Sequence, residues 1–237
     1  MNGVLYGIGV GPGAPDLLTL RAVAVLGKVD VVLSAASSRN EYSLALEAAR
    51  PHLRSGVCIR RLDFPMTRDE AELRRAWREA ARITQEVLEE GLNAAFLTIG
   101  DPLVYSTFGY LMRTLAECAP HLSVQVVPGI TSFQAAAARA RTVLCESGET
   151  LRILPGISSR EELEDCLKHA DTAVVLKAYR NLPAIREALQ ATGRLENCLL
   201  ASQVEQDSEH IRQGIDLAEG VPPYMSLVLS KKPASGK

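Results

Sequence analysis

The sequence predicts an α/β protein made of two α/β domains with a ligand cleft between them. Short apolar runs alternate with segments of helical spacing along the whole chain of 237 residues, the pattern of largely parallel sheets covered by helices. A breaker cluster, Ala119-Pro120-His121, falls near the middle, and a new strand–helix series starts after it. Glycine-containing segments stand where strands give way to helices in both halves. The expected division is therefore 1–120, with a largely parallel sheet, and 121–237, with a mixed one.

The elements follow in order. Val4 to Val10 is an apolar run ending in glycines, followed by a helical segment from Asp16 to Leu26. Val29 to Leu33 reads as a buried strand, Tyr42 to Leu53 as a helix and Val57 to Leu62 as a strand. Asp69 to Glu90 is the clearest helix. Leu73, Ala76, Trp77, Ala80, Ile83 and Val87 recur at its spacing, Thr67 and Glu70 form a capping-box pair, and Gly91 stops it. Strand Ala94 to Thr98 and helix Thr107 to Cys118 complete the first half. The second half reads as strand Val124 to Val127, alanine-rich helix Thr131 to Ala140 and strand Leu151 to Leu154. A helix capped by Ser158 or Ser159, strand Ala173 to Leu176 and helix Leu182 to Leu189 come next. Strands Cys198 to Ala201 and Met225 to Leu229 close the series, and the tail from Lys231 is expected to fray.

Composition narrows the function. The formal charge is −2, the pI about 6.1 and the aromatic content 5%, which gives no electrostatic reason to expect nucleic acid or an anionic membrane as partner. The cysteines (Cys58, Cys118, Cys145, Cys166, Cys198) are scattered, with no C-x-x-C pair, and read as thiols in a reducing compartment. His52, His121, His169 and His210 are equally dispersed, so no metal site is expected. Met1-Asn2-Gly3 leads straight into a strand pattern, and no apolar run approaches the ~18 residues of a membrane span. The expected location is the cytoplasm.

Three segments carry chemistry. Gly7-Ile8-Gly9-Val10-Gly11-Pro12-Gly13 lies at the end of the first strand, where glycines permit a tight turn and close approach of a ligand. A dinucleotide fingerprint requires glycine where Pro12 stands, and Asp30 begins the second strand instead of closing it, so a nicotinamide-dependent oxidoreductase is disfavoured. No lysine follows as a Walker loop requires. Leu97-Thr98-Ile99-Gly100-Asp101-Pro102-Leu103-Val104-Tyr105-Ser106 again ends a strand; Asp101 offers a carboxylate, or simply caps the turn. Val127-Pro128-Gly129-Ile130-Thr131-Ser132 joins a strand to a helix, with Thr131 or Ser132 as N-cap, ligand contact or both. Together these segments imply a small-molecule cleft.

In this order and spacing the three segments resemble the tetrapyrrole (corrin/porphyrin) methylase superfamily. Its opening glycine loop falls on Gly9 to Ala22, its G-D-P-x-x-Y on Gly100 to Tyr105 and its V-P-G-I-[ST]-[SA] on Val127 to Ser132. Within the family, the Leu62 to Asp69 stretch with Ala76-Trp77, together with Ile153-Leu154-Pro155, is similar to the branch that methylates C20 of precorrin-2 or cobalt-factor II on the way to cobalamin. The resemblance implies a tetrapyrrole methylase-like fold, S-adenosylmethionine as methyl donor held on the side of the second domain, the tetrapyrrole on the side of the first, and a homodimer. Cofactor contacts carried over are Pro12, Ile99, Gly100, Asp101, Val104, Thr131, Ser132, Leu176, Lys177, Val204, Glu205, Tyr224, Met225 and Ser226. Ala14 stands where relatives carry Asp, and Leu176 where methionine is common. An alternative within the family is action at another corrin position or on ribosomal RNA.

The expected substrate is a polycarboxylate, and arginine is its natural partner. Arg60, Arg61 and Arg68 head a basic stretch that continues through Arg74, Arg75, Arg78 and Arg82, while Arg39 follows the second strand. A solvated helix face is the plain explanation for much of that stretch. Asp101 is also a possible proton acceptor, but its loop suits cofactor binding better, and the catalytic residue is left unassigned.

Overall fold

Each strand of the first sheet returns through a helix, so the sheet is parallel throughout. The structure is a computed structural model that describes residues 1–36, 43–157, 159–216 and 220–233. The chain divides into two compact units, Met1–Thr131 and Ser132–Lys237.

The first unit contains β1 (Val4–Gly9), α1 (Leu20–Leu26), β2 (Val31–Ala36), α2 (Leu44–Ala49), β3 (Cys58–Asp63), α3 (Glu70–Glu89), β4 (Ala94–Thr98), α4 (Phe108–Cys118) and β5 (Ser123–Val127). The strand order is β3-β2-β4-β1-β5. Because β5 pairs with β1, the breaker cluster at 119–121 does not end the first unit, as the sequence suggested; it is a turn within it. Alternation along β4 sorts the core: Ala94 and Phe96 join the cluster under α3 and α4, while Ala95 and Leu97 join the one with Ala22 and Leu26 of α1 and Ala45 and Ala48 of α2. Phe96 lies between Phe64 and Phe108, with ring centroids 5.8 and 5.6 Å away. Phe108 in turn lies over Gly7, where any Cβ would come within 2.2 Å of its ring.

Several boundaries differ from expectation, each for a local reason. Pro15 starts a separate 3-10 turn, Pro15–Leu17, so α1 begins only after the Thr19 cap, whose hydroxyl accepts from Ala22 N–H at 3.2 Å. Pro51 converts the end of α2 into another 3-10 turn, Arg50–His52, and Ser43 caps its start. The expected Thr67–Glu70 capping box is not formed. Asp69 is the N-cap of α3, accepting from Ala71 and Glu72 N–H at 2.8 and 3.2 Å, while Thr67 Oγ1 accepts from Asp69 N–H. A carboxylate there also meets the positive end of the helix dipole.

The second unit contains α5 (Ser132–Arg139), β6 (Leu151–Leu154), α6 (Arg160–Lys168), β7 (Thr172–Leu176), α7 (Leu182–Ala191), β8 (Cys198–Ser202), β9 (His210–Gln213) and β10 (Ser226–Lys231). Its sheet runs β6-β7-β10-β8-β9, with β6 and β7 parallel and the remaining pairs antiparallel. The cap of α6 is Ser159; Ser158 and Tyr42 lie outside the described residues. Strand β9 was not expected, because its four residues carry no apolar alternation and lie at the sheet edge.

Arg194 ties this unit together. It is 3% exposed, yet its guanidinium donates to the carbonyls of Leu167, Ala170 (2.6 Å) and Asp171 (3.2 Å), the orphan acceptors where α6 turns into β7. Arg194→Ala leaves those carbonyls unpaired, at a cost of about 3 kcal/mol. Calorimetry should show a melting temperature lower by roughly 6–12 °C for that variant, and Arg194→Lys should recover only part of the loss.

Candidate functional site

The ends of the two sheets collect the residues that the sequence marked, and each end is described within its own unit. In the first, β1 leaves toward β2 through α1, while its neighbour β4 leaves toward β5 through α4. Right-handed crossovers then place α1 and α4 on opposite faces of the sheet. The loops after β1, β4 and β5 meet at its end.

They meet backbone to backbone. Gly11 and Gly100 form an isolated antiparallel bridge, with Gly100 N–H donating to Gly11 O at 2.7 Å, and both are left-handed (φ +76 and +74). A Cβ on Gly9 would lie 2.5 Å from Gly100 O and 2.6 Å from Gly129 N, and one on Gly129 would lie 2.2 Å from Gly100 O. Asp101 fastens the crossing. One carboxylate oxygen accepts from Leu103 N–H at 2.8 Å and the other from Gly129 N–H at 3.1 Å, so the side chain braces its own turn and the β5 loop together. Both oxygens hold backbone donors, which gives Asp101 a scaffold role in these loops. Ser106 Oγ takes Phe108 N–H at 3.1 Å and lies 3.2 Å from Thr98 Oγ1, fixing the other end of the turn.

What this turn shows to solvent is apolar. Leu103, Val104 and Tyr105 are 59%, 36% and 52% exposed, and Tyr105 is held at φ +51, a conformation that non-glycine residues adopt at a cost. Pro12 and Thr131 are buried beside the crossing and Ile99 half-buried. Backbone polar groups next to apolar side chains are the kind of lining that small-molecule sites use.

At the second sheet, β6, β7 and β8 end on the edge where β10 begins, since Leu227 registers with Leu176 and Ser226 with Ser202. Leu176, Lys177, Val204, Glu205, Tyr224, Met225 and Ser226 therefore converge there. Lys177 (φ +54), Gln203 (φ +47) and Glu205 (φ +60) are all left-handed without being glycine. With Tyr105 they make four of the five such residues among those described, the fifth being Arg141. Strain of this kind persists only where neighbours enforce it, and the enforcing contacts are visible. Gln203 N–H donates to Met225 O at 2.7 Å, and Tyr179 N–H to Ser226 Oγ at 3.0 Å. Glu205 N–H donates to Glu209 at 2.8 Å, and Arg139 of α5 grips the same carboxylate at 2.7 Å. Burial pushes the Glu209 carboxyl up, but the Arg139 hydrogen bond and the Glu205 N–H outweigh it, so its pKa lies below the usual carboxylate value. The brace is thus complete above that usual value and is lost as the pH falls through the lowered one.

The arginines expected to bind substrate are less gathered. Arg39 lies outside the described residues. Arg60 and Arg61 are on edge strand β3, two positions from β4 in the sheet and on opposite faces; Arg61 pairs with Asp63 at 2.9 Å, and Arg68 is exposed. Farther along, Arg74 pairs with Glu70, and Arg82 with Glu79 and Glu86, a solvated helix face. Gly9, Gly129, Ser106, Gln203 and Tyr179 were not singled out as site residues. The glycines and Ser106 lie inside the motif segments, whereas Gln203 and Tyr179 carry no local signal. Among the described residues no group of three or more His, Cys, Asp or Glu side chains could hold a metal ion, and no helix is long and apolar enough to cross a membrane.

The profile of the tetrapyrrole (corrin/porphyrin) methylases matches residues 4–214. The chain belongs to that family. It is 36% identical over 237 residues to the cobalt-precorrin-2 C(20)-methyltransferase of Salmonella typhimurium, covering 98% of each chain. It is 32% identical to the precorrin-2 C(20)-methyltransferase of a Sinorhizobium species, covering 96% of this chain and 94% of that one. Among solved structures, a cobalt precorrin-4 methyltransferase superposes with a TM-score of 0.71 at 24% identity, over 96% of this chain and 94% of that one. The uroporphyrin-III C-methyltransferase of Thermus thermophilus, complexed with S-adenosylhomocysteine, superposes at 0.63 and 23%, over 96% and 97% of the two chains. These last two likenesses speak to the fold.

If the glycine crossing sets the site, Gly129→Ala should lower the melting temperature and abolish S-adenosylhomocysteine binding by titration calorimetry. Gly27→Ala, whose Cβ would meet nothing closer than 3.6 Å, should change neither. Asp101→Ala should cost about 1–3 kcal/mol of stability and weaken cofactor binding, with Asp101→Asn intermediate.

Proposed function

We propose that this chain transfers a methyl group from S-adenosylmethionine to C20 of a precorrin-2-type tetrapyrrole, metal-free or cobalt-bearing, in cobalamin biosynthesis. The observation that carries the reading is end-to-end similarity to two C(20)-methyltransferases, 36% and 32% identical, joined to the braced glycine crossing of the first sheet. The resemblance assigns the cofactor contacts residue by residue. Pro12, Ile99, Gly100, Asp101, Val104 and Thr131 would serve the cofactor from the first unit, and Ser132, Leu176, Lys177, Val204, Glu205, Tyr224, Met225 and Ser226 from the second. Arg39, Arg60, Arg61 and Arg68 are proposed for the substrate carboxylates. A cytoplasmic homodimer completes the proposal and rests on resemblance.

S-adenosylmethionine supplies an activated methyl on a sulfonium, a good leaving group. The protein's task is then to align that methyl with the meso carbon and to keep water away. A reduced tetrapyrrole has enamine character at C20, so no base is needed before attack, and the C20 proton leaves afterwards. The bracing of the β4 and β5 loops by Asp101, and of the Gln203–Glu209 loop by Glu209 and Arg139, answers the positioning requirement without a further reactive group.

Incubation with methyl-labelled S-adenosylmethionine and either precorrin-2 or its cobalt complex tests this. One label at C20, located by NMR, is the expected product, and the faster substrate assigns the metal state. A label at another carbon, or none from either macrocycle, overturns the C20 assignment.

A further inference from the structure

Several arginines of the second unit are engaged within it. Arg139 holds Glu209, Arg160 holds Glu164, Arg186 reaches Ile215 O, and Arg194 is buried among carbonyls. Arg180 differs. It is exposed, has no carboxylate partner among the described residues, and stands on the strained turn after β7, at the sheet end where Lys177, Tyr224 and Ser226 converge.

Its position is built rather than incidental. The turn Ala178–Arg180 starts from left-handed Lys177, is anchored by fully buried Ala178 and is tied to β10 through Tyr179 N–H and Ser226 Oγ at 3.0 Å. Arg180 N–H closes it onto Lys177 O at 3.2 Å. The guanidinium is then held by a neutral group: Nε donates to Tyr179 Oη at 2.9 Å, with the guanidinium carbon 5.7 Å from the centroid of that ring. Tyr179 packs against the exposed Tyr224, ring centroids 5.3 Å apart. Using Nε leaves the two terminal nitrogens, whose paired N–H bonds match the two oxygens of a carboxylate. Lys177, also without a carboxylate partner among the described residues, adds positive charge, while Glu205 nearby is engaged with Arg139 at 3.8 Å.

We propose that Arg180 is a carboxylate-binding residue of the methyltransferase site, engaging either an acidic side chain of the tetrapyrrole or the methionine carboxylate of the cofactor. The proposal rests on the functional reading above and adds to it a specificity group on the second unit, apart from the arginines of the first.

The test compares wild type, Arg180→Gln and Arg180→Lys with two probes that need no turnover. S-adenosylhomocysteine and its decarboxylated analogue report the cofactor by calorimetry, and uroporphyrin and its methyl ester report the macrocycle by fluorescence. Arg180→Gln should weaken one carboxylate-bearing probe by about 10–100-fold, as expected for loss of a charged hydrogen bond, with little effect on its carboxylate-free counterpart and an unchanged melting temperature. Arg180→Lys should recover part of the affinity. Loss confined to S-adenosylhomocysteine assigns the cofactor carboxylate, and loss confined to uroporphyrin assigns the substrate. Unchanged affinity for both, equal loss for acid and carboxylate-free forms, or a fall in melting temperature that tracks the affinity overturns the proposal. If wild type itself binds neither probe, the site reading fails and the role of Arg180 fails with it; if wild type binds and the variants do too, only Arg180 is at fault.

Discussion

Three stretches of backbone cross at van der Waals distance where β1, β4 and β5 end, and the first unit is arranged around that contact. Side chains cannot enter it: Gly9 and Gly129 each sit where a single methyl would strike a neighbouring main chain, and Gly11 and Gly100 need left-handed φ to bridge. Close packing of main chain leaves amide and carbonyl groups needing partners, and Asp101 supplies two acceptors at once. The parallel sheet behind it provides rigidity, with every residue of β4 buried between two apolar layers. Loops fixed on such a base can hold a small molecule in one orientation, which is what methyl transfer demands.

The second unit solves a related problem by other means. The corresponding edge of its sheet uses few glycines; Gln203 and Glu205 are forced into left-handed conformations and held by hydrogen bonds that they donate to Met225 and Glu209. Charge does the holding at the α5 end, where Arg139 reaches a carboxylate 70 residues away in sequence. The two units thus differ in where conformational cost is absorbed, by glycine in one and by strained side-chain-bearing residues in the other.

Much of this architecture was legible in the sequence because its signals are local. Apolar runs marked β4 and β10, the 3.6-residue period marked α3, and glycines marked the loops that cross. Where the reading failed, the deciding contact was nonlocal or positional. The boundary at 119–121 was misplaced because a Pro-containing turn looks alike inside and between domains, and only the pairing of β5 with β1 separates the cases. The cap of α3 shifted from Thr67 to Asp69 because both residue types suit an N-cap and geometry chose. Strand β9 has no apolar face to read. Arg180 carries no sequence mark, since the contacts that hold it form only in the folded turn.

The left-handed residues set a conflict between durability and use. Replacing Lys177, Gln203, Glu205 or Tyr105 with glycine would relieve backbone strain of roughly 1–2 kcal/mol each, which makes these four positions natural places to gain thermal tolerance. Each such gain would also remove a side chain from the edge where ligand is expected. Selection for robustness and selection for turnover therefore pull on the same few dihedral angles, and a thermostable descendant of this enzyme would have to find its stability elsewhere.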